Sequence, residues 1–202
     1  MGADGKPEAA KQDAASAKAA QYAALKWPIA AFGLASAGYL TVGPGRVWSF
    51  FSWHPLLMML SLPLALNASL LKKVGGLVAT RWHGYMLSAA TLLMMAGGYV
   101  SYAHKEAIGK AHYTSTHSWL GAAAMGGYLT SVIIATVTIS PDYGLLKGNQ
   151  SVRLAHKLGG KLNIAVACAA VFTGVQKFVP DPMAQAAFGS LLALFALAAL
   201  RF

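Results

Sequence analysis

After residue 26, long apolar segments alternate with short polar ones along the chain. Proline, glycine and charged residues bound six such segments: Trp27–Val42, Val47–Leu71, Trp82–Ala103, Thr116–Ile139, Leu154–Gln176 and Met183–Arg201. A helix rises about 1.5 Å per residue, so roughly 20 residues cross the ~30 Å hydrocarbon layer of a bilayer. The first segment is short by this measure and is lengthened when residues 22–25 join it. The pattern predicts an all-α, polytopic membrane protein with six transmembrane helices.

The composition supports this class. Of the 202 residues, 56% are hydrophobic and only 11% are charged, whereas soluble domains carry about 25% charged residues. Residues 1–26 are rich in alanine and contain both lysine and acidic residues, unlike an organellar transit peptide, which is rich in arginine and poor in acids. We therefore expect an extramembrane tail over 1–26, partly helical, and a membrane domain over 27–202.

The basic residues are distributed unevenly between the two sides of the predicted membrane. The formal charge of +10 indicates topology and lipid headgroups in such a chain, not nucleic acid. Twelve of the 16 basic residues fall in the tail, near 72–81, over 147–161 and at 201, which we name side B; residues 46, 105, 110 and 177 form side A. Since basic residues favour the inner face, both termini are predicted to lie on the cytosolic, matrix or stromal side.

Histidines recur at the beginnings of four consecutive predicted helices, at His54, His83, His117 and His156. Because successive helices run in opposite directions, His54 and His117 should lie near side A, and His83 and His156 near side B. A single histidine at a helix end is usually an interfacial residue without a ligand. Four at two matched levels are harder to explain in that way, because ionisable groups inside membranes are rare and usually functional.

A pair of imidazoles suits some metal centres better than others. Zinc prefers four nitrogen or sulfur ligands, and open mononuclear copper or iron centres require a third ligand. A low-spin haem takes two axial ligands on opposite faces of its ring, and imidazole supplies them well. The histidine pattern therefore predicts two b-type haems, one at each level.

Other residues fit a porphyrin less specifically. Gly121 and Gly160 follow two of the histidines by four residues and share their helix faces, although small residues also serve bare packing between helices. Arg81 and Arg153 are candidates for binding haem propionates on side B. Lys161 lies inside an apolar segment five residues after His156, and either extends to side B or pairs with a propionate.

Four motifs resemble the haem-ligand positions of the cytochrome b-561 family, in order: "WHPLLM" at 53–58, the histidine of "RWHGYM" at 81–86, "HSWLG" at 117–121 and "AHKLGG" at 155–160. The resemblance covers about residues 50–178 and implies a four-helix haem core in which the second helix pairs with the fourth and the third with the fifth. It implies single-electron transfer across the membrane between a small donor and acceptor. The segment 147–163 is also similar to uncharacterised cyanobacterial and plastid membrane proteins, which favours a thylakoid membrane over a mitochondrial inner membrane.

The sequence departs from the family around the expected substrate sites. Family reductases commonly place basic residues around the third-helix ligand to bind ascorbate, and here Arg81 alone stands just before His83. His104 and His112 could correspond to the family's outer metal-chelate site or could simply be solvated. Haem binding is therefore better supported than any particular substrate.

A second functional class remains open: an accessory structural subunit of a respiratory or photosynthetic complex, with its haem sites vestigial or off the main electron path. The sixth segment contains no ligand type and could face lipid or pack on a neighbouring chain through Ala184, Ala187 and Gly189. The tail buries too little apolar surface to order itself. We therefore predict membrane lipids and other subunits as partners. A transporter is disfavoured because the predicted spans carry no carboxylate.

Overall fold

The computed structural model describes residues 6–201 and is helical throughout. The helices are α1 (Lys6–Val42), α2 (Trp53–Val74), α3 (Gly76–Ala107), α4 (Thr116–Ile139), α5 (Gln150–Val175) and α6 (Pro182–Leu200). A 3₁₀ turn, Phe50–Ser52, leads into α2. No strand occurs within this range, so the all-α prediction is confirmed.

Five of these helices, α2 to α6, are long and apolar enough to cross a membrane. The predicted first span lies at the end of α1, which continues without interruption from Lys6 and has 37 residues. A helix of that length measures about 55 Å, well beyond the ~30 Å hydrocarbon layer. The chain is an integral, multi-pass membrane protein, and its tail helix is continuous with the first predicted span.

The connection between α2 and α3 is shorter than predicted. Gly75 and Gly76 both have positive φ values, 89° and 84°, a conformation that glycine adopts without a steric penalty. The chain therefore reverses at these two residues, and α3 begins six residues before Trp82, the predicted start. As a result Arg81 lies on a helix and not in a loop.

Helices α2 to α5 form a four-helix bundle made of two antiparallel hairpins, α2–α3 and α4–α5. The flanking helices α1 and α6 meet each other through Phe32, whose ring centroid is 5.0 Å from that of Phe188. A Cβ added at Gly189 would lie 2.7 Å from the Phe172 ring of α5. Gly189 therefore packs within the chain, whereas Ala187 remains exposed.

A buried layer crosses the middle of the bundle. It consists of Ala65, Ala90, Met94 and Tyr128, one or more residues from each of α2, α3 and α4, with Ala167 of α5 packed against them. The candidate sites lie on either side of this layer.

Candidate functional site

The four histidines form two pairs inside the bundle. His54 of α2 faces His117 of α4, with ring centroids 6.1 Å apart and ring planes at 86°. His83 of α3 faces His156 of α5 at 6.2 Å and 86°. Each pair joins diagonally opposed helices, and these are the pairs that alternating helix direction brings together.

Backbone carbonyls orient three of the four rings. His54 Nδ1 donates to Gly97 O at 2.9 Å, His83 Nδ1 donates to Ala68 O at 2.9 Å, and His117 Nδ1 donates to Ala170 O at 2.8 Å. A carbonyl oxygen can only accept a hydrogen bond, so Nδ1 carries the proton in each ring. The Nε2 lone pair is then available to a metal, as in metal-binding histidines generally.

The separations fit one metal ion between the two rings of each pair. A metal ion held about 2.0–2.1 Å from one nitrogen of each ring would separate the ring centroids by about 6 Å. Direct edge-to-face packing of aromatic rings also spans about 4.5–7 Å. The ring distances alone therefore do not distinguish a metal ion between the rings from direct ring packing. The space beside the rings is the feature that distinguishes them.

Each pair borders a cavity. The upper cavity, of about 420 Å³, is bordered by His54 and His117, and the lower cavity, of about 340 Å³, by His83 and His156. Protein interiors are normally packed without voids of this size, and ligand pockets occupy about 300–1,000 Å³. The walls are mostly apolar, with Met58, Met94 and Met125 around the upper cavity. Two rings facing each other beside an apolar cavity suit a flat metal-centred cofactor.

Glycines shape both sites. Gly121 borders the upper cavity and Gly160 the lower one, and a Cβ at either would meet no atom within 4 Å. Both were predicted. Gly174 supports a ligand ring directly: a Cβ there would lie 2.8 Å from His117 Cε1. The sequence singles it out only as one of several helical glycines that could lie close to a porphyrin.

Positive charges surround the cavity mouths. Arg81, Arg153 and Lys72 border the lower cavity, and Lys105, Lys110 and Lys177 border the upper one. Lys161 is not among the described residues that line the lower cavity.

Arg81 forms a salt bridge with Asp142, which lies in the loop between α4 and α5. Its Nη2 lies 2.5 Å from Asp142 Oδ1, and its Nε donates to both carboxylate oxygens at 3.1 and 3.2 Å. The hydrogen bonds from Arg81 hold the pKa of the Asp142 carboxyl below its ordinary value. Sequence reasoning did not single out Asp142, which also borders the lower cavity.

The remaining two histidines also border the upper cavity. His104 lies against Phe51, with ring centroids 4.9 Å apart. His112 pairs with Glu106 at 2.6 Å and stacks on Tyr102 at 4.5 Å. Over residues 6–201 no group of three or more His, Cys, Asp or Glu residues could hold a metal ion. The four bundle histidines are thus arranged as pairs and not as parts of larger ligand sets.

Comparison with known proteins identifies related chains. Residues 53–180 match the family described as eukaryotic cytochrome b561. Transmembrane reductase CYB561D2 of Mus musculus is 28% identical over 143 residues, which cover 63% of this chain. The chain spans only 61% of the length of that mouse protein. The matched family region contains all four paired histidines.

Proposed function

The chain belongs to the eukaryotic cytochrome b561 family, and we propose that it is a di-haem b-type cytochrome that carries single electrons across a membrane. Family membership indicates transmembrane electron transfer by b-type haem. The proposal of two haems rests on one observation: the two histidine pairs have nearly the same ring separation and the same angle, and each borders its own cavity.

In this proposal His54 and His117 hold one haem and His83 and His156 hold the other. A bound haem supplies a reversible one-electron iron couple. The protein supplies neutral imidazoles, with three Nδ1 protons fixed by Gly97, Ala68 and Ala170. The apolar cavity walls keep water from the rings, and the cations at the cavity mouths offset the negative charge of the propionates.

The two histidine pairs lie far apart along the bundle compared with the thickness of a membrane. On α2, 14 residues separate His54 from Ala68, whose carbonyl orients His83. At about 1.5 Å per residue this places the two levels roughly 20 Å apart along the helix. That distance is a large part of the ~30 Å hydrocarbon layer, so an electron that passes from one site to the other has crossed most of it.

Haem quantification tests the proposal. The purified protein should contain two haems per chain by the pyridine haemochrome assay. The variant His117→Ala should retain one haem, and the matched control His112→Ala, which removes a cavity-bordering histidine outside the pairs, should retain two. A wild-type protein with fewer than two haems, or two haems in His117→Ala, would contradict the assignment.

We further propose that the protein is a subunit of a larger membrane assembly. The observation that favours this is the exposed tail helix: residues 12–17 of α1 are all exposed, although they extend a helix that packs on α2. Deletion of residues 1–24 should weaken co-purification with other chains and leave the haem spectrum unchanged. A full-length protein that is monomeric when extracted in mild detergent argues against this role.

A further inference from the structure

Tyr128 lies at the middle of α4, between the two candidate sites. It borders the upper cavity and the lower cavity at once, a property that it shares with Ile164 alone among the residues lining the two cavities. Its side chain is buried, with 5% exposure. It is the bulkiest member of the central layer, where its neighbours include Ala65, Ala90 and Ala167. Tyr128 and Ile164 therefore lie in the wall between the two cavities.

Packing explains the ring of Tyr128 but not its hydroxyl group. The hydroxyl makes no hydrogen bond with any residue that the structure describes, and the surrounding layer is apolar. Buried tyrosine hydroxyls normally find a partner, and phenylalanine would fill the same space without burying a polar group. The hydroxyl is not among the fully enclosed unpaired atoms, so it borders cavity space and can contact a bound group.

We propose that the ring of Tyr128 forms the path for electron transfer between the groups bound at the two sites. This inference rests on the proposed di-haem function. With a haem bound at each site, one electron would pass from the reduced iron of one site to the oxidised iron of the other, with no proton transferred and no covalent bond formed or broken. The aromatic ring keeps this path filled with atoms. The atoms that line an empty gap have no partners in contact with them. Electronic coupling therefore falls off faster across such a gap than through packed atoms.

Removing the ring should join the two cavities, because Tyr128 and Ile164 are the two lining residues that border both of them. The variant Tyr128→Ala removes the ring, and Tyr128→Phe keeps the ring but removes the hydroxyl. Leu64→Ala is the matched control: Leu64 packs against the same layer but borders neither cavity. A general loss of packing should therefore affect Leu64→Ala and Tyr128→Ala alike, whereas a role in the path affects only the second.

The experiment uses the haem-loaded protein in lipid nanodiscs. One electron per protein is delivered by pulse radiolysis, and its redistribution between the two haems is followed by absorbance. Haem content and the low-spin electron paramagnetic resonance signals are recorded beside the rate, so that loss of a site is distinguished from slower transfer. We expect transfer in Tyr128→Phe and in Leu64→Ala to remain near the wild-type rate. In Tyr128→Ala we expect it to slow by about tenfold, equivalent to about 1.4 kcal/mol in the barrier, with both haem signals retained.

Each alternative outcome has a defined meaning. A wild-type rate in Tyr128→Ala with both haems bound overturns the inference and leaves the di-haem proposal intact. An equal slowing in Leu64→Ala also overturns it. If Tyr128→Ala does not retain both haems, Tyr128→Leu, which keeps a larger side chain, is measured under the same criteria. A wild-type protein with fewer than two haems overturns the proposed function and this inference together.

Discussion

Gly174 offers a direct test of how the His117 ring is held. In the variant Gly174→Ala the new Cβ would lie 2.8 Å from Cε1 and 3.1 Å from Nδ1 of that ring. Carbon atoms in contact prefer about 3.5–4.0 Å, so the ring has to move by roughly 0.7 Å. The ring also donates to Ala170 O at 2.8 Å, on the preceding turn of α5, and a shift away from Gly174 disturbs this hydrogen bond.

The expected cost follows from these distances. A metal site holds its ligands within about 0.2 Å of the ideal distance, which is less than the shift that the methyl group requires. Overfilling a packed interior costs about 1–3 kcal/mol, which corresponds to roughly 5- to 150-fold weaker binding. The upper haem should therefore be lost or weakened in Gly174→Ala, while the lower haem remains.

Redox titration with haem quantification measures this outcome, because loss of the upper haem would leave one redox transition where the wild type should show two. Gly126→Ala is the matched control: Gly126 is an exposed helical glycine whose added Cβ meets no atom within 4 Å. Alanine is the better helix former by about 1 kcal/mol, so this control should be at least as stable as the wild type. Two haems with unchanged midpoint potentials in Gly174→Ala would refute the argument that Gly174 supports a ligand ring.

Three further predictions concern the two faces of the protein and the fourth ligand. Both termini should lie on the inner side, so protease added to the opposite face should leave residues 1–26 intact, and cleavage there would reverse the topology. The carboxyl of Asp142 should titrate below its ordinary pKa near 3.9, and Arg81→Gln should raise that pKa towards the ordinary value, as followed by carbon-13 NMR. Because the pKa of Asp142 is lowered, the Arg81–Asp142 pair stabilises the loop at neutral pH, and this stabilisation is lost as the pH falls through the lowered pKa. An unshifted wild-type titration would exclude the interaction. In a high-resolution structure of the haem-loaded protein, His156 Nδ1 should donate to the carbonyl of Ser131, and any other acceptor would refute this.

Much of the architecture could be predicted from the apolar pattern, because the physical requirement is simple. A segment that crosses a bilayer has to be long, apolar and helical, and successive crossings alternate in direction. Those two facts alone place His54 with His117 and His83 with His156, as found. The helix boundaries were harder: Arg81 suggested a loop, whereas the two glycines at 75–76 had already made the turn.

The details that hold the rings could not be predicted. The acceptors for three histidines are backbone carbonyls, which every residue possesses, so no residue type marks Gly97, Ala68 or Ala170. Gly174 matters because of its distance from a ring on another helix, which is a property of packing. Lys161 stays a prediction: it is not among the described residues that line the lower cavity, and its sequence position fits either an extension to side B or a contact with a propionate.

The backbone carbonyls that accept from the histidines also show that the candidate sites are built from two hairpins, because they couple the two helices of a hairpin to each other. In the hairpin of α2 and α3, each helix carries one histidine and orients the histidine of the other, through Ala68 and Gly97. The spacing repeats: 14 residues separate His54 from Ala68, His83 from Gly97, and His156 from Ala170.

The same spacing applied to α4 leads from His117 to Ser131. Ser131 borders the lower cavity beside His156, yet His156 alone among the paired histidines makes no hydrogen bond to a described residue. The hydroxyl of Ser131 instead accepts from Asn163, one helix across, at 3.0 Å. Since a ligating histidine is normally held through its second nitrogen, the repeat identifies the missing acceptor. We therefore expect the His156 ring to turn towards the Ser131 carbonyl when the lower site holds a metal, which would complete the α4–α5 half of that site.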